Sequence, residues 1–267
     1  MILIGEELFE MVDNSIVQNV SVRTAEDIRP AAEALKAAFN ERLPGWAVVP
    51  TANIASKAPM IDANGDVLAL GVFGFAEEEE KAWEEGRIAL HSPLHRACRY
   101  ESEPFWVNKD GFRTAQPNPY LDSIDLNNFE KRARCKSSLV FPLHLPFGQI
   151  GAVFAGPHSP EREDLSEEFA AHADELSVYA HRFIAGYAKV VRKRQWLPAD
   201  CQLTKREVEC LRWAAIGKTD KEISLILSRS HATVRFHIQN AGEKLDAVNR
   251  SQTIFKAGQL GYLGLAA

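Results

Sequence analysis

From Leu203 to the end of the chain, apolar positions fall into four short groups at helical spacing. They are Val208, Leu211, Ala215; then Ile223, Ile226, Leu227; then Val234, Ile238, Ala241, Leu245; then Ile254, Ala257, Leu260. A capping signal opens each group. Thr204 with Glu207, and Thr219 with Glu222, form capping boxes in which hydroxyl and carboxylate satisfy the free amides of a helix start. Ser230 precedes the third group, and Asn249 with Gln252 opens the fourth. Gly217 follows the first helix, where a left-handed residue is usually needed. Four such helices with tight turns predict a compact helix-turn-helix unit.

Upstream, helical and alternating patterns mix. A helix is expected over Thr24–Leu43 and a strand over Trp46–Asn53. The Asn64-Gly65 pair predicts a hairpin turn leading into a strand over Val67–Phe75. A helix over Glu77–Leu90, an irregular segment from His91 to Pro119 and a helix over Leu121–Arg134 follow. Strands over Ser137–His144 and Ile150–Ala155, joined by a turn at Phe147-Gly148, precede a long helix from Leu165 to Arg194. The fold class is α/β: helices flanking an antiparallel sheet in an α/β/α sandwich, similar to sensory domains of the PAS and GAF kind, plus a C-terminal all-α domain. Domains are expected over residues 1–190 and 203–267, with a linker over 191–202 in which Leu197-Pro198-Ala199-Asp200 breaks the last helix.

The third C-terminal helix carries the candidate chemistry. With its apolar stripe inward, it turns Ala232, Phe236, Gln239, Asn240 and Glu243 outward. Gln and Asn can bond the adenine edge in a major groove, Glu accepts from cytosine, and an apolar ring meets a thymine methyl. Lys218, Thr219, Lys221, Arg229, Thr233, Arg235 and Lys244 flank that face and suit phosphate contacts, which position a helix without reading sequence. A plain helical bundle for protein contact would not need caps, spacing and polar face to agree in this way.

These residues resemble the C-terminal DNA-binding domain of LuxR-type bacterial transcription regulators. The shared pattern is LTxREVE, AxGKTxxEIxxIL, TVxFHxxNAxxKL and NRxQ, all present between Leu203 and Gln252. The resemblance implies that the Thr233–Asp246 helix enters the major groove and that the Asn249–Leu260 helix helps pair two domains. Two residues depart from the pattern. Arg229 stands where the family usually buries an aliphatic side chain, and Glu243 where a basic one is frequent, which implies an altered operator sequence.

Composition supports a division of labour. Residues 201–267 hold 10 Lys and Arg against 6 Asp and Glu, a balance of +4, while the rest of the chain carries −9 of the total of −5. A basic end on an acidic body fits DNA binding confined to that end. The four cysteines, Cys98, Cys135, Cys201 and Cys210, show no Cys-x-x-Cys pair and read as reduced thiols. The N-terminus lacks a basic targeting region and no apolar run approaches about 18 residues, so a cytoplasmic protein without a membrane span is expected. Pro93 disrupts any helical pairing of His91 with His95, so no metal site is expected; Cys98 lacks an orienting partner for nucleophilic work; Asp122 and Asp125 read as helix-start caps. No cofactor is implied.

The order of elements also resembles the autoinducer-binding domain of the same regulators. Three pieces carry this: W-x-x-G-x-x-x-x-x-S-P from Trp83 to Pro93, EPFWVN around Trp106, and VFPLHLPFGQIGAVF from Val140 to Phe154. In the resemblance, Trp106 takes the place of a pocket tryptophan, Trp83 that of the tyrosine at the lactone head group, and Ser92 that of the aspartate that accepts from the ligand amide. Family glycines align with Arg134 and Ser138. A buried carboxylate is worth its desolvation only when a donor pairs with it, so its loss at Ser92 argues for a ligand without an amide there. Trp83 and Trp106, with Phe105, Val140 and Phe141 nearby, are expected to line a pocket for an apolar or aromatic small molecule.

The expected function is a homodimeric, sequence-specific transcription regulator that binds double-stranded operator DNA and is controlled by a small apolar or aromatic effector, not by standard acyl-homoserine lactones. The alternative is a ligand-independent regulator whose sensor fold only dimerises. A phosphoacceptor receiver domain is excluded by the lack of its acidic cluster, and an enzyme by the lack of a phosphate loop, metal spacing or activated nucleophile.

Overall fold

Runs of buried apolar residues that continue along a strand, rather than alternate, mark a sheet covered on both faces. The strand Ser137–His144 is of this kind, buried from Ser137 to Leu143. It lies at the middle of an antiparallel sheet in the computed structural model, which describes residues 12–56, 58–75, 91–159, 161–192 and 201–264. Among the described residues the strands are β1 (Trp46–Thr51), β2 (Phe105–Asn108), β3 (Gly111–Thr114), β4 (Ser137–His144) and β5 (Ile150–Pro157), in the order β1-β5-β4-β2-β3. The helices of the same unit are α1 (Asn14–Asn19), α2 (Ile28–Arg42), α3 (Leu68–Gly71), α4 (Pro93–Ala97), α5 (Pro119–Asp122), α6 (Phe129–Ala133) and α7 (Ser166–Val191).

Two cores follow from the sheet's two faces. On one, α2 and α7 cover Leu139, Phe141 and Val153, with Phe39 meeting Phe141 edge-on at 5.5 Å. The segment between α1 and α2 approaches α7 closely because a glycine permits it: a Cβ at Gly186 of α7 would meet the Val22 carbonyl oxygen at 2.6 Å. Arg42 of α2 and Tyr179 of α7 both bond the Glu175 carboxylate, at 2.7 and 2.6 Å. On the other face, Leu94, Leu121 and Phe129 from the short helices pack over Phe105, Val140 and Phe154. The expected α/β/α arrangement is therefore present.

Several local expectations fail for identifiable reasons. The Asn64-Gly65 turn forms, with Gly65 left-handed and the Asp62 carboxylate accepting from the Asn64 and Asp66 amides. The hairpin stops after the Ile61–Val67 bridge, however, and Leu68 begins α3 rather than a strand. The segment expected to be irregular holds α4 and the β2–β3 hairpin, whose two-residue loop ends at the left-handed Gly111. The helix expected over Leu121–Arg134 is broken in two. Asp122 ends α5, which Asn118 caps, and the Asp125 carboxylate accepts from the Asn127 amide in the turn between the pieces, so neither aspartate starts a helix. The helix expected over Glu77–Leu90, Trp83 within it, and the Leu197–Asp200 break lie outside the described residues.

The chain divides into two units, the first ending at Val191 and the second beginning at Arg192. The second contains α8 (Lys205–Ala215), α9 (Asp220–Ile226), α10 (His231–Lys244) and α11 (Arg250–Gln259) around Leu211, Ile223, Val234, Ala241 and Ala257. Thr204, Thr219, Ser230 and Asn249 each cap the helix they precede, and both expected capping boxes are closed. Within the stripes, Ala215 and Ile226 face solvent, while Cys210 and Ala214 take the inward positions of α8.

Candidate functional site

The Ser230 hydroxyl accepts from the Thr233 amide at 3.0 Å and sets the start of α10. Burial of Val234, Ile238 and Ala241 then fixes its rotation. The rotation leaves Ala232, Arg235, Phe236, Gln239 and Glu243 exposed, with Thr233 and Asn240 half-buried at the margin. Phe236 is 59% exposed, which no packing requirement of this unit explains. Gln239 donates to Glu243 at 3.3 Å, so the two polar groups that would read base edges hold each other in the free protein.

The basic flank is of two kinds. Lys221, Arg229 and Arg235 are exposed, and Lys218 is half-buried beside Glu222 at 3.4 Å. Lys244, expected to contact phosphate, bonds the Glu207 carboxylate at 2.9 Å. Glu207 is almost fully buried. Burial works to raise its pKa, but bonds from the Thr204 amide and Lys244 outweigh it and hold the carboxyl below its usual range. Thr219 is likewise occupied as a cap, its hydroxyl 2.8 Å from Glu222.

Sequence reasoning missed two further residues that hold the helices of this unit together. The amino group of Lys256, buried in α11, donates to the carbonyls of Leu245 and Asp246 at 3.0 and 2.6 Å and satisfies the free end of α10. Arg250 bonds the Lys218 carbonyl at 2.8 Å and pairs with Asp220, joining the starts of α11 and α9. The available signal for Lys256 was its place in the inward row of α11, three residues after Thr253 and beside Ala257.

In the first unit, a cavity of about 930 Å³ opens on the sheet face opposite α2 and α7. Ala47 and Val49 of β1 and Phe154 of β5 form its floor, Ser92, Leu94 and His95 one wall, and Ala133 to Ser138 another. The expected pocket residues divide. Ser92 lines the cavity, 2% exposed, and its hydroxyl does not cap the helix it precedes. Phe105 and Val140 lie on the same sheet face as the floor, buried in the adjoining core. Trp106 and Phe141 belong to the opposite core, because side chains alternate across a sheet and these two stand one residue further along β2 and β4. Trp106 stands beneath Arg113, at 5.7 Å from the ring, and is not a cavity wall.

His95 stacks on Phe154 with ring centroids 4.8 Å apart. Burial, with a smaller push from Arg99, lowers its pKa to about 3, so the imidazole is neutral. Burial also pushes the Cys98 thiol well above its ordinary value, which removes thiolate chemistry. Among the described residues no cluster of three or more His, Cys, Asp or Glu is placed to hold a metal, and no helix is long and apolar enough to cross a membrane.

Comparison with known proteins bears on both units. The family model described as autoinducer binding domain matches residues 59–185, and the model of bacterial regulatory proteins of the luxR family matches residues 201–257. The transcriptional activator protein VanR of Vibrio anguillarum is 37% identical over 159 residues, 55% of this chain and 63% of its own length. The quorum sensing-dependent regulator VjbR of Brucella ovis is 51% identical over 63 residues, 24% of each chain. The chain thus spans less than two thirds of these curated relatives. SdiA of Escherichia coli is 22% identical, with 72% of this chain and 76% of that one covered and a TM-score of 0.39. Carrying an autoinducer-binding domain and a luxR-type regulatory domain in that order, the chain belongs to the LuxR family of bacterial regulatory proteins.

Proposed function

We propose that this chain is a sequence-specific DNA-binding transcription regulator, controlled by a small apolar or aromatic effector in the sensor cavity and acting as a homodimer on a two-fold operator. The observation that carries the first part is the solvent face of α10, where an exposed phenyl stands in one row with Gln239 and Glu243. Gln239 suits adenine, Glu243 suits cytosine and Phe236 suits a thymine methyl. Lys218, Lys221, Arg229 and Arg235 provide the phosphate contacts, and the +4 balance of the unit supplies the long-range attraction.

The cavity supports the second part. Its size suits a small molecule. An effector that binds one conformation of the dimer better than another shifts the population competent for DNA. The described wall presents Ser92, and no buried carboxylate, to a ligand amide, so acyl-homoserine lactones are expected to bind poorly.

Competition binding with operator and random DNA tests the reading. Arg235→Ala should weaken both and reduce the salt slope by roughly one phosphate contact. Gln239→Ala or Asn240→Ala should relax preference at particular bases, by about 1–3 kcal/mol each. Equal losses on both DNAs for all three variants would remove α10 as the reader.

A further inference from the structure

The cavity of the first unit is apolar within and basic at its mouth, and the two properties together select a class of ligand. We propose that it takes an amphipathic carboxylate: a molecule whose apolar or aromatic body lies on Phe154 and Leu94 and whose single anionic group meets Lys131, Arg134 and Lys136. This deepens, and rests on, the proposed control by a small apolar effector.

Among the described residues the interior offers no charge. Val49, Leu94 and Phe154 are apolar, and the neutral His95 ring lies flat on Phe154. Ser92 as a residue is 2% exposed and its hydroxyl makes no hydrogen bond to the described residues, which leaves it as a neutral donor facing the cavity. The rim is different. Among the described residues Lys131, Arg134, Lys136 and Arg162 line it with only Glu130 as a carboxylate. Arg162 is paired with Glu168, and Glu163, the carboxylate that Lys136 influences, is already bonded by Lys109 at 2.8 Å. Lys131, Arg134 and Lys136 are in no ion pair among the described residues.

Arg134 adds a separate observation. It ends α6 in the left-handed region, at φ 61°, where a glycine would sit without strain. A long cation is thus held at the cavity mouth in a backbone conformation that favours a residue with no side chain. Strain of this sort persists where a side chain has work to do.

Magnitude decides how much the rim contributes. One exposed ion pair is worth roughly two- to fivefold in affinity, so three converging on one carboxylate give roughly tenfold or more over a neutral analogue. The rest of the affinity comes from the apolar body, which ester and acid share.

Calorimetric titration of the full chain with decanoate, its methyl ester and decanol, each below micelle formation, tests the proposal. Decanoate should bind roughly tenfold tighter than the ester at low salt, and the advantage should shrink as salt screens the rim. Arg134→Gly relieves the backbone strain, so it should fold at least as well as the parent while losing several-fold affinity for decanoate alone. Ser92→Asp should remove decanoate binding and spare decanol. Equal binding of acid, ester and alcohol, or an unchanged acid preference in Arg134→Gly, would overturn the anionic inference and leave the apolar effector standing. Failure of all three molecules to bind would overturn both.

Discussion

The two units of this protein are ordered by different means. In the C-terminal unit each helix is begun by a side chain within three residues of its first turn, and even the bond from Tyr262 to the Cys201 carbonyl spans 61 positions. In the sensor unit β1 pairs with β5 across more than a hundred residues, and Arg42 reaches Glu175 across 133. Local order can be read residue by residue. Non-local order depends on which surfaces are available when distant segments meet, and it also slows folding.

The largest expected effect tests which face of the sheet Trp106 serves. It is 8% exposed and packs with Leu139 and Phe141, so Trp106→Ala should cost about 3–5 kcal/mol in denaturant unfolding of the sensor unit. Ligand affinity of the folded fraction should not change. A specific loss of affinity at intact stability would return the indole to the cavity and erase the distinction between the two faces.

Gly186→Ala sharpens the same contrast between local and non-local order. In an exposed helix this change stabilises by about 0.5–1 kcal/mol. Here the added Cβ would stand 2.6 Å from a backbone carbonyl, which cannot rotate away, so a net loss of about 1–3 kcal/mol is expected in thermal unfolding. Stabilisation by Gly186→Ala would mean that α7 and the Val22 segment are not held together by this contact.

The legibility of each part follows from this difference. The caps Thr204, Thr219, Ser230 and Asn249 and the outward face of α10 were readable because a hydroxyl or amide must stand next to the amides it satisfies. The β2–β3 hairpin was also signalled, by Lys109-Asp110-Gly111 between Phe-Trp-Val-Asn and Phe-Arg-Thr, yet β2 is buried on both sides and shows no alternation to announce a strand. The broken helix at Ser123–Asn128 was hidden because the left-handed turn falls on Asn128 and not on a glycine. Trp106 was misplaced for a subtler reason. The resemblance puts a tryptophan in the pocket, but one residue further along β2 than Phe105 the side chain faces the other core. The cavity itself, formed by β1, β5, α4 and the segment after α6, has no sequence signature. Lys244 and Lys256 were legible as charges and not as structural bonds, since nothing local says that a lysine will meet a buried carboxylate or a helix end.

Lys244→Met tests whether that charge is structural. Glu207 would be left buried with only its cap bonds, for a loss of about 1–2 kcal/mol at neutral pH. The sign with pH follows from the depressed Glu207 pKa. The pairing contributes fully above the ordinary value of 4.5 and is lost as pH falls through the lower folded value. The gap between wild type and Lys244→Met should therefore close on acidification below that value. A gap independent of pH, together with a reduced salt slope in DNA binding, would make Lys244 a phosphate contact instead.

The smallest expected effect is the most local. Thr204→Ala removes the hydroxyl that accepts from the Glu207 amide at 3.3 Å and opens one capping box. The cost should be about 1 kcal/mol, read as faster amide exchange in the first turn of α8. Glu207 keeps its bonds from the Thr204 amide and Lys244, so the core around Leu211 should stay protected. Thr219→Ala should act alike on α9, where the Glu222 box is exposed and the loss accordingly no larger. In both variants exchange in β4 and β5 should match the parent. If either substitution accelerated exchange throughout the second unit, its helices would depend on one another as strongly as the strands of the sheet do. The contrast between locally and distantly specified order would then be one of sequence signals only, and not of energetics.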